Sequence, residues 1–335
     1  MKIPLSKKTK IYVVAPAGAA TGGPEDLHHL VVSLRELYPV DKVLMYYFPA
    51  SAENPVPAPY AHFNIGFVRD IEDSAGNVLI IPEIYTTKFD EYKNIQKVIW
   101  WLSLDNYYLC PPSLPNWQRR INNLLFKFGL PHRFFFNNDV KKIKWHLAQS
   151  YHAFVHLKKR GVRGVEHLTN YISQDFLKYP IDETIKENIV AYNPKKGLSF
   201  TKRIIASSPN VEFIPLIHMS HDQMAAVLKK AKVYIDFGFH PGMDKIPREA
   251  SMLGCCVITG KRGSAKFFDD IPISPEFKFY ANWFTVPLIT KKIRECFDDY
   301  HNQARRQIAY RERAKKDEDT NRSDIENAFS FNSRA

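Results

Sequence analysis

The sequence predicts an α/β protein built from two Rossmann-like, doubly wound domains that face each other across a cleft. Three observations carry that prediction. Short apolar runs alternate with amphipathic stretches through the N-terminal half, a second and cleaner alternation starts at Asn188, and a polar stretch around Ser173 to Glu187, with Pro180 inside it, lies between them. The 335 residues suffice for about two domains at ~150 residues each.

The first strand is Ile11 to Ala15 (IYVVA), followed by a small-residue loop, Pro16 to Gly23, and then a helix. In that helix Leu27, Leu30, Val31, Leu34 and Leu37 fall on one face, while Pro24, Glu25 and Asp26 suit its first turn. Further strands are expected at Lys42 to Phe48, Asn77 to Pro82, Lys97 to Leu104, Lys144 to Ser150 and near Val165 to Leu168. The second alternation reads strand Ile189 to Tyr192, helix Ser199 to Ser208, strand Val211 to Ile217, helix His221 to Lys230, strand Lys232 to Phe237, helix Pro247 to Leu253 and strand Cys255 to Thr259. A long polar helix, about Thr290 to Lys316, and a charged tail expected to be disordered close the chain.

Composition is that of an ordinary globular protein, with 45% apolar and 24% charged residues. No apolar run is long enough to span a membrane and Met1 to Lys10 lacks a signal-peptide core, so a cytoplasmic location is expected. Cys110, Cys255, Cys256 and Cys296 show no metal-ligand spacing and read as reduced thiols. The net charge of +12 favours phosphorylated ligands, nucleic acid or anionic lipid without choosing among them. The basic residues are spread over α/β loops, and no nucleic-acid motif is present, so nucleic acid is not the expected partner. The first loop carries only Gly22-Gly23, without G-x-G-x-x-G or a P-loop, which argues against a dinucleotide oxidoreductase and an NTPase.

Ligands of open parallel sheets bind at the carboxyl ends of the strands, so the strand-to-helix loops are the candidate chemistry. Asn193-Pro194-Lys195-Lys196-Gly197 offers two ammonium groups and loop amides to a diphosphate, with solvated turn lysines as the alternative. Lys245 or Arg248 could offset charge developing on a departing diphosphate, and Asp244 lies on the same loop; the alternative is an ordinary charged helix surface. His240, Arg262, Gly263 and Ser264 are candidate donor contacts, with a structural histidine and a plain basic turn as their alternatives. In the N-terminal half, Gly22, Gly23 and Asn106 are candidate acceptor or sugar contacts, and Asp105 and Glu25 compete as the base for an acceptor hydroxyl. Gln149-Ser150 could touch a sugar hydroxyl, or Ser150 could simply cap a helix.

The stretch from Val233 to Ala265 (VYIDFGFHPGMDKIPREASMLGCCVITGKRGSA) resembles the donor-binding region of GT-B glycosyltransferases. There a glutamate on the helix, followed by Ala, an apolar turn, Gly and an apolar strand, holds the nucleotide ribose; Glu249, Ala250, Gly254 and Val257-Ile258 match. Two vicinal hydroxyls can both donate to one carboxylate, while a first-turn capping carboxylate is the plainer reading of Glu249. Together with Thr21-Gly22-Gly23-Pro24-Glu25, Trp100 to Asn106 and Tyr192 to Gly197, the chain resembles glycosyltransferases of bacterial capsule and O-antigen gene clusters.

The resemblance implies a metal-independent, cofactor-free transfer of sugar from a nucleotide-activated donor to a glycan or glycolipid in surface polysaccharide synthesis. It implies retention of configuration, although Pro241 stands where the best-known retaining families have a second glutamate. A nucleotide-sugar epimerase of the same architecture and a basic nucleic-acid-binding protein are the alternatives. The expected division is 1–175 for the acceptor side, 176–290 for the nucleotide-sugar side, 291–316 for a helix crossing back and 317–335 for the disordered tail. The basic, aromatic stretch Trp117 to Lys141 suits peripheral contact with the inner face of an anionic membrane, and would equally suit the core of the first domain.

Overall fold

The computed structural model describes residues 2–110, 113–128, 130 and 133–331. The chain divides into two units, Met1–Asn170 with Asp319–Ala335, and Tyr171–Glu318.

The first unit runs β1 (Ile3–Leu5), β2 (Ile11–Pro16), α1 (Gly22–Leu37), β3 (Val43–Phe48), β4 (Phe67–Val68), β5 (Val78–Pro82) and β6 (Gln96–Trp101). It continues with α2 (Leu104–Leu109), α3 (Asn116–Lys127), β7 (Trp145–Ala148), α4 (Tyr151–Lys159) and β8 (Val165–His167). Seven strands form one parallel sheet in the order β4-β3-β2-β5-β6-β7-β8. Both faces are covered, which is why the strands read as continuous apolar runs. Ile11, Val13 and Ala15 pack with Leu27, Leu30 and Leu34 of α1, whereas Tyr12 and Val14 pack with Ile99, Leu104 and Tyr108 on the opposite face. Burying each such large side chain stabilises by ~1.5–3 kcal/mol.

The second unit contains β9 (Glu187–Tyr192), α5 (Leu198–Ala206), β10 (Glu212–Pro215), α6 (His221–Lys230), β11 (Ala231–Asp236), α7 (Lys245–Met252), β12 (Cys256–Gly260) and β13 (Lys278–Phe279). Its parallel sheet has the order β10-β9-β11-β12-β13. The two-residue β13 is an addition to the expected strands, being too short to leave a pattern.

Two expectations for the C-terminal region are corrected. The single helix of 290–316 is three: α8 (Val286–Asp298), α9 (Tyr300–Arg305) and α10 (Ile308–Lys315), which bury Ile289, Ile293, Phe297, Tyr300 and Tyr310. The tail is ordered through residue 331, as α11 (Asp317–Ala328) and β14 (Phe329–Phe331), and β14 pairs with β1 in parallel. Its charge-rich composition hides the apolar residues that fix it, Ile325, Ala328 and Phe329, all buried in the first unit's core. Asp324 adds a cap on the chain end of that unit, accepting from both the amide and the hydroxyl of Thr169 at 2.9 Å. The return to the first unit therefore falls at 318/319 rather than within 291–316, and the first boundary at 170/171 rather than 175/176. Residues 332–335 of the expected tail, and 129, 131 and 132 of the basic, aromatic stretch, lie outside the described residues. Among the described residues, no helix is long and apolar enough to cross a membrane.

Candidate functional site

In the second unit β9, β11 and β12 are adjacent and parallel, so their three carboxyl-end loops are neighbours at one edge of the sheet. These loops are tied to one another. Gly197 has φ +66, and a Cβ there would sit 2.5 Å from the carbonyl oxygen of Phe237, so the first loop lies directly on the second. The Ser264 amide donates to the His240 carbonyl at 2.8 Å and its hydroxyl to the Gly242 carbonyl at 2.7 Å, fastening the third loop to the second. Gly263, at φ +56, allows that contact, because a Cβ would stand 1.9 Å from the His240 oxygen. Gly263 and Ser264 therefore shape the loop: the Ser264 hydroxyl, buried and already donating, is not presented as a donor contact, which corrects that expectation.

A buried charge network runs through the second loop. Asp236, at the end of β11, accepts from Tyr234 Oη at 3.1 Å and the Gly238 amide at 2.9 Å. His240 stands between carboxylates, its Nε2 3.7 Å from Asp236 and its Nδ1 2.9 Å from Asp244. Burial opposes charging this imidazole, but the carboxylates outweigh it and its pKa is raised. Lys196 donates to both oxygens of Asp244, at 2.9 and 3.0 Å. Burial works against ionising Asp244, yet Lys196 and His240 hold its pKa at about 2. Tyr234 is pushed well above its ordinary value by burial and then by the charge of Asp236, to which it donates, with smaller contributions from Asp244 and Glu249. One ligand atom each from Asp236, His240 and Asp244 lies within 4.8 Å of the others, a spacing that could hold a metal ion, but the Lys196 ammonium already provides a cation on Asp244.

Asp244 is the N-cap position of α7, Lys245 its first residue, half-buried, and Glu249 is buried one turn in. Arg248 requires a correction. Its guanidinium is 1% exposed, pairs with Asp317 at 2.6 Å, and donates to the carbonyls of Met243 at 3.0 Å and Asp244 at 3.3 Å. With its charge neutralised and its donors engaged, it braces the loop instead of meeting a phosphate. By contrast, the side chains of exposed Lys195 and half-buried Arg262 have no ion-pair or hydrogen-bond partner among the described residues, and both flank the network.

In the first unit the carboxyl ends of β5 and β6 hold a group that sequence inspection missed. Glu83 follows β5 directly, is 2% exposed, and accepts from the Leu102 amide at 3.0 Å. Burial raises its pKa to about 8 against the pull of backbone amides, so it carries its proton at neutral pH. An acidic residue immediately after the run NVLIIP is the signal that could have found it.

Asp105, expected as a base, is instead 1% exposed in the first turn of α2 and accepts from Arg133 Nε at 2.7 Å and from Nη2 of the same guanidinium. Arg133 also donates to His152 at 2.7 Å. Held in this buried pair, Asp105 is not offered to a hydroxyl. Asn106 is exposed beside it, and Glu25 is half-buried in the first turn of α1. Gly22 and Gly23 open α1, and packing demands neither: a Cβ at Gly22 meets nothing and one at Gly23 meets only Leu102, at 3.8 Å. Ser150 is the N-cap of α4, accepting from the Ala153 amide at 3.2 Å, and Gln149 donates to buried Asp26 at 2.7 Å. Asp26, read from the sequence only as a first-turn residue, also accepts from Asn170 at 2.9 Å, so it locks α1 to the ends of β7 and the first unit.

Two Rossmann-like α/β units in tandem define the fold as GT-B. Solved structures share it. HepE from Anabaena, crystallised with UDP and glucose, superposes with a TM-score of 0.62 at 12% identity, covering 95% of this chain and 98% of that one. A glycosyltransferase from Rickettsia africae gives 0.56 at 12%, over 97% and 95%. TarM gives 0.52 at 13%, over 78% of this chain, which spans only 56% of TarM's length. No protein-family model and no curated protein matches the sequence.

Proposed function

We propose that the chain is a glycosyltransferase that moves a sugar from a nucleotide-activated donor to a glycan or glycolipid acceptor in surface polysaccharide synthesis. The observation that carries this reading is the basic edge of the second sheet, where three loops are locked together and the charges of Lys195 and Arg262 have no ion-pair partner among the described residues. The known GT-B structures support it, HepE having been crystallised with UDP and glucose. In this reading Lys195 and Arg262 hold the diphosphate and offset the charge it gains as it leaves. Glu249 receives the ribose hydroxyls, as the resemblance of its helix implies, and the same resemblance favours retention. That the transfer needs no metal is implied by the resemblance alone.

Calorimetric titration with nucleoside diphosphates and nucleotide sugars tests the reading. One of them should bind, and Lys195→Ala and Arg262→Ala should each weaken it by roughly tenfold, the worth of one charge-assisted hydrogen bond, without moving the melting temperature. Absence of binding by every such ligand, or unchanged affinity in both variants, would overturn it. Turnover of a bound sugar nucleotide with no acceptor present would point to epimerisation instead.

A further inference from the structure

Helix α3 has its polarity reversed. The residue it buries is Asn122, whose side chain donates to the Tyr108 carbonyl at 3.1 Å, and beside it Asn123 donates to the Leu109 carbonyl at 3.0 Å. The helix is thus fastened to the unit by amides. Its large apolar residues point the other way: Trp117, Ile121, Leu124 and Phe128 follow the i, i+4, i+7, i+11 series on one face and are 41 to 73% exposed. Exposed Leu130 and Phe134 follow in the chain.

The charge beside this stripe has a single sign. From Asn106 to Asn138 the sequence contains no Asp or Glu. At 100° per residue, Arg120 and Lys127 lie along one margin of the stripe, both exposed and without an ion-pair partner among the described residues. Arg119 and Arg133 are engaged elsewhere, with Asn116 at 2.9 Å and with Asp105. A soluble partner protein would need only the apolar face. An apolar stripe with basic residues along its margin and no acidic residue on the helix itself matches the headgroup boundary of an anionic bilayer, where aromatic side chains enter and cations meet phosphate.

We propose that α3 docks the first unit on an anionic lipid surface, Trp117, Ile121, Leu124 and Phe128 entering the interface while Arg120 and Lys127 contact lipid phosphates. This stands independently of the donor site and survives if glycosyl transfer is refuted.

The test is flotation of the full chain with phosphatidylcholine vesicles, with and without phosphatidylglycerol. Binding is expected to the anionic vesicles and to fall with added salt. Leu124→Asp should reduce the partition coefficient by at least about tenfold, and Arg120→Glu with Lys127→Glu by a similar factor. Charge reversal of exposed Lys202 in the second unit should leave it unchanged. A second measurement does not depend on those variants: brominated lipids should quench tryptophan emission, and Trp117→Phe should abolish the quenching while the protein stays bound. No binding to anionic vesicles, or binding indifferent to the α3 substitutions, would overturn the proposal. So would a dimer in sedimentation that Leu124→Asp dissolves, since the occupant of the stripe would then be a second copy of the chain.

Discussion

Arg248→Met is the perturbation that separates a braced loop from a catalytic cation. The guanidinium is 1% exposed and Asp317, its partner at 2.6 Å, is 3% exposed. Replacing Arg248 by an apolar residue of similar length keeps the volume but strands the Asp317 carboxylate in a site closed to water. Breaking a buried pair in this way costs about 3–5 kcal/mol. The loss should appear as a fall of about 1 M or more in the urea midpoint of the second unit. Nucleotide affinity should fall with it, because Arg248 also holds the carbonyls of Met243 and Asp244 and hence the loop that carries His240. Removing both charges, in Arg248→Met with Asp317→Leu, should recover most of the stability, since no uncompensated charge is left. A phosphate-binding arginine behaves otherwise: its loss would abolish ligand affinity at nearly constant stability. A single variant that loses less than about 1 kcal/mol, or a double variant as unstable as the single one, would refute the bracing role.

Two further outcomes follow from the geometry. The folded Glu83 carboxyl keeps its proton up to about pH 8, whereas the unfolded one releases it near 4.5. Between those values the folded state binds more protons, so stability falls as pH rises, by up to about 1.4 kcal/mol per pH unit. Glu83→Gln cannot ionise and should flatten the urea midpoint between about pH 5 and about pH 8; an unchanged slope would show that Glu83 is not the group responsible. Gly263→Ala places a Cβ against the His240 carbonyl at φ +56 and should cost about 1–3 kcal/mol and weaken nucleotide binding, while Gly22→Ala, which meets nothing, should be neutral or slightly stabilising. Equal effects at the two glycines, read from urea midpoints, would contradict the packing argument.

The sheets were legible because a strand covered on both faces must be apolar along its length, and IYVVA, KVLMYYF and NVLIIP could hardly do anything else. The C-terminal region was not, for a matching reason. The breaks at Asp299 and Gln307 use neither Gly nor Pro, and the twelve residues of α11 rely on Ile325 and Ala328 for their apolar anchorage, too few to register against the surrounding charge. Within the site, the loop positions were readable from glycines and charges at strand ends, whereas the engagement of each charge was not. Arg248 meets a carboxylate 69 residues away, and Asp105 meets an arginine 28 residues on. A cation's sequence position says that it sits at the sheet edge; only the fold says whether another group has already consumed its charge. On that criterion Arg248 and Lys196, each paired with a carboxylate, belong to the scaffold of the loops, whereas the side chains of Lys195 and Arg262 have no ion-pair partner among the described residues. The same test, applied to α3, turns three basic residues into two that face outward beside an apolar stripe, so a reading of net charge becomes a reading of direction.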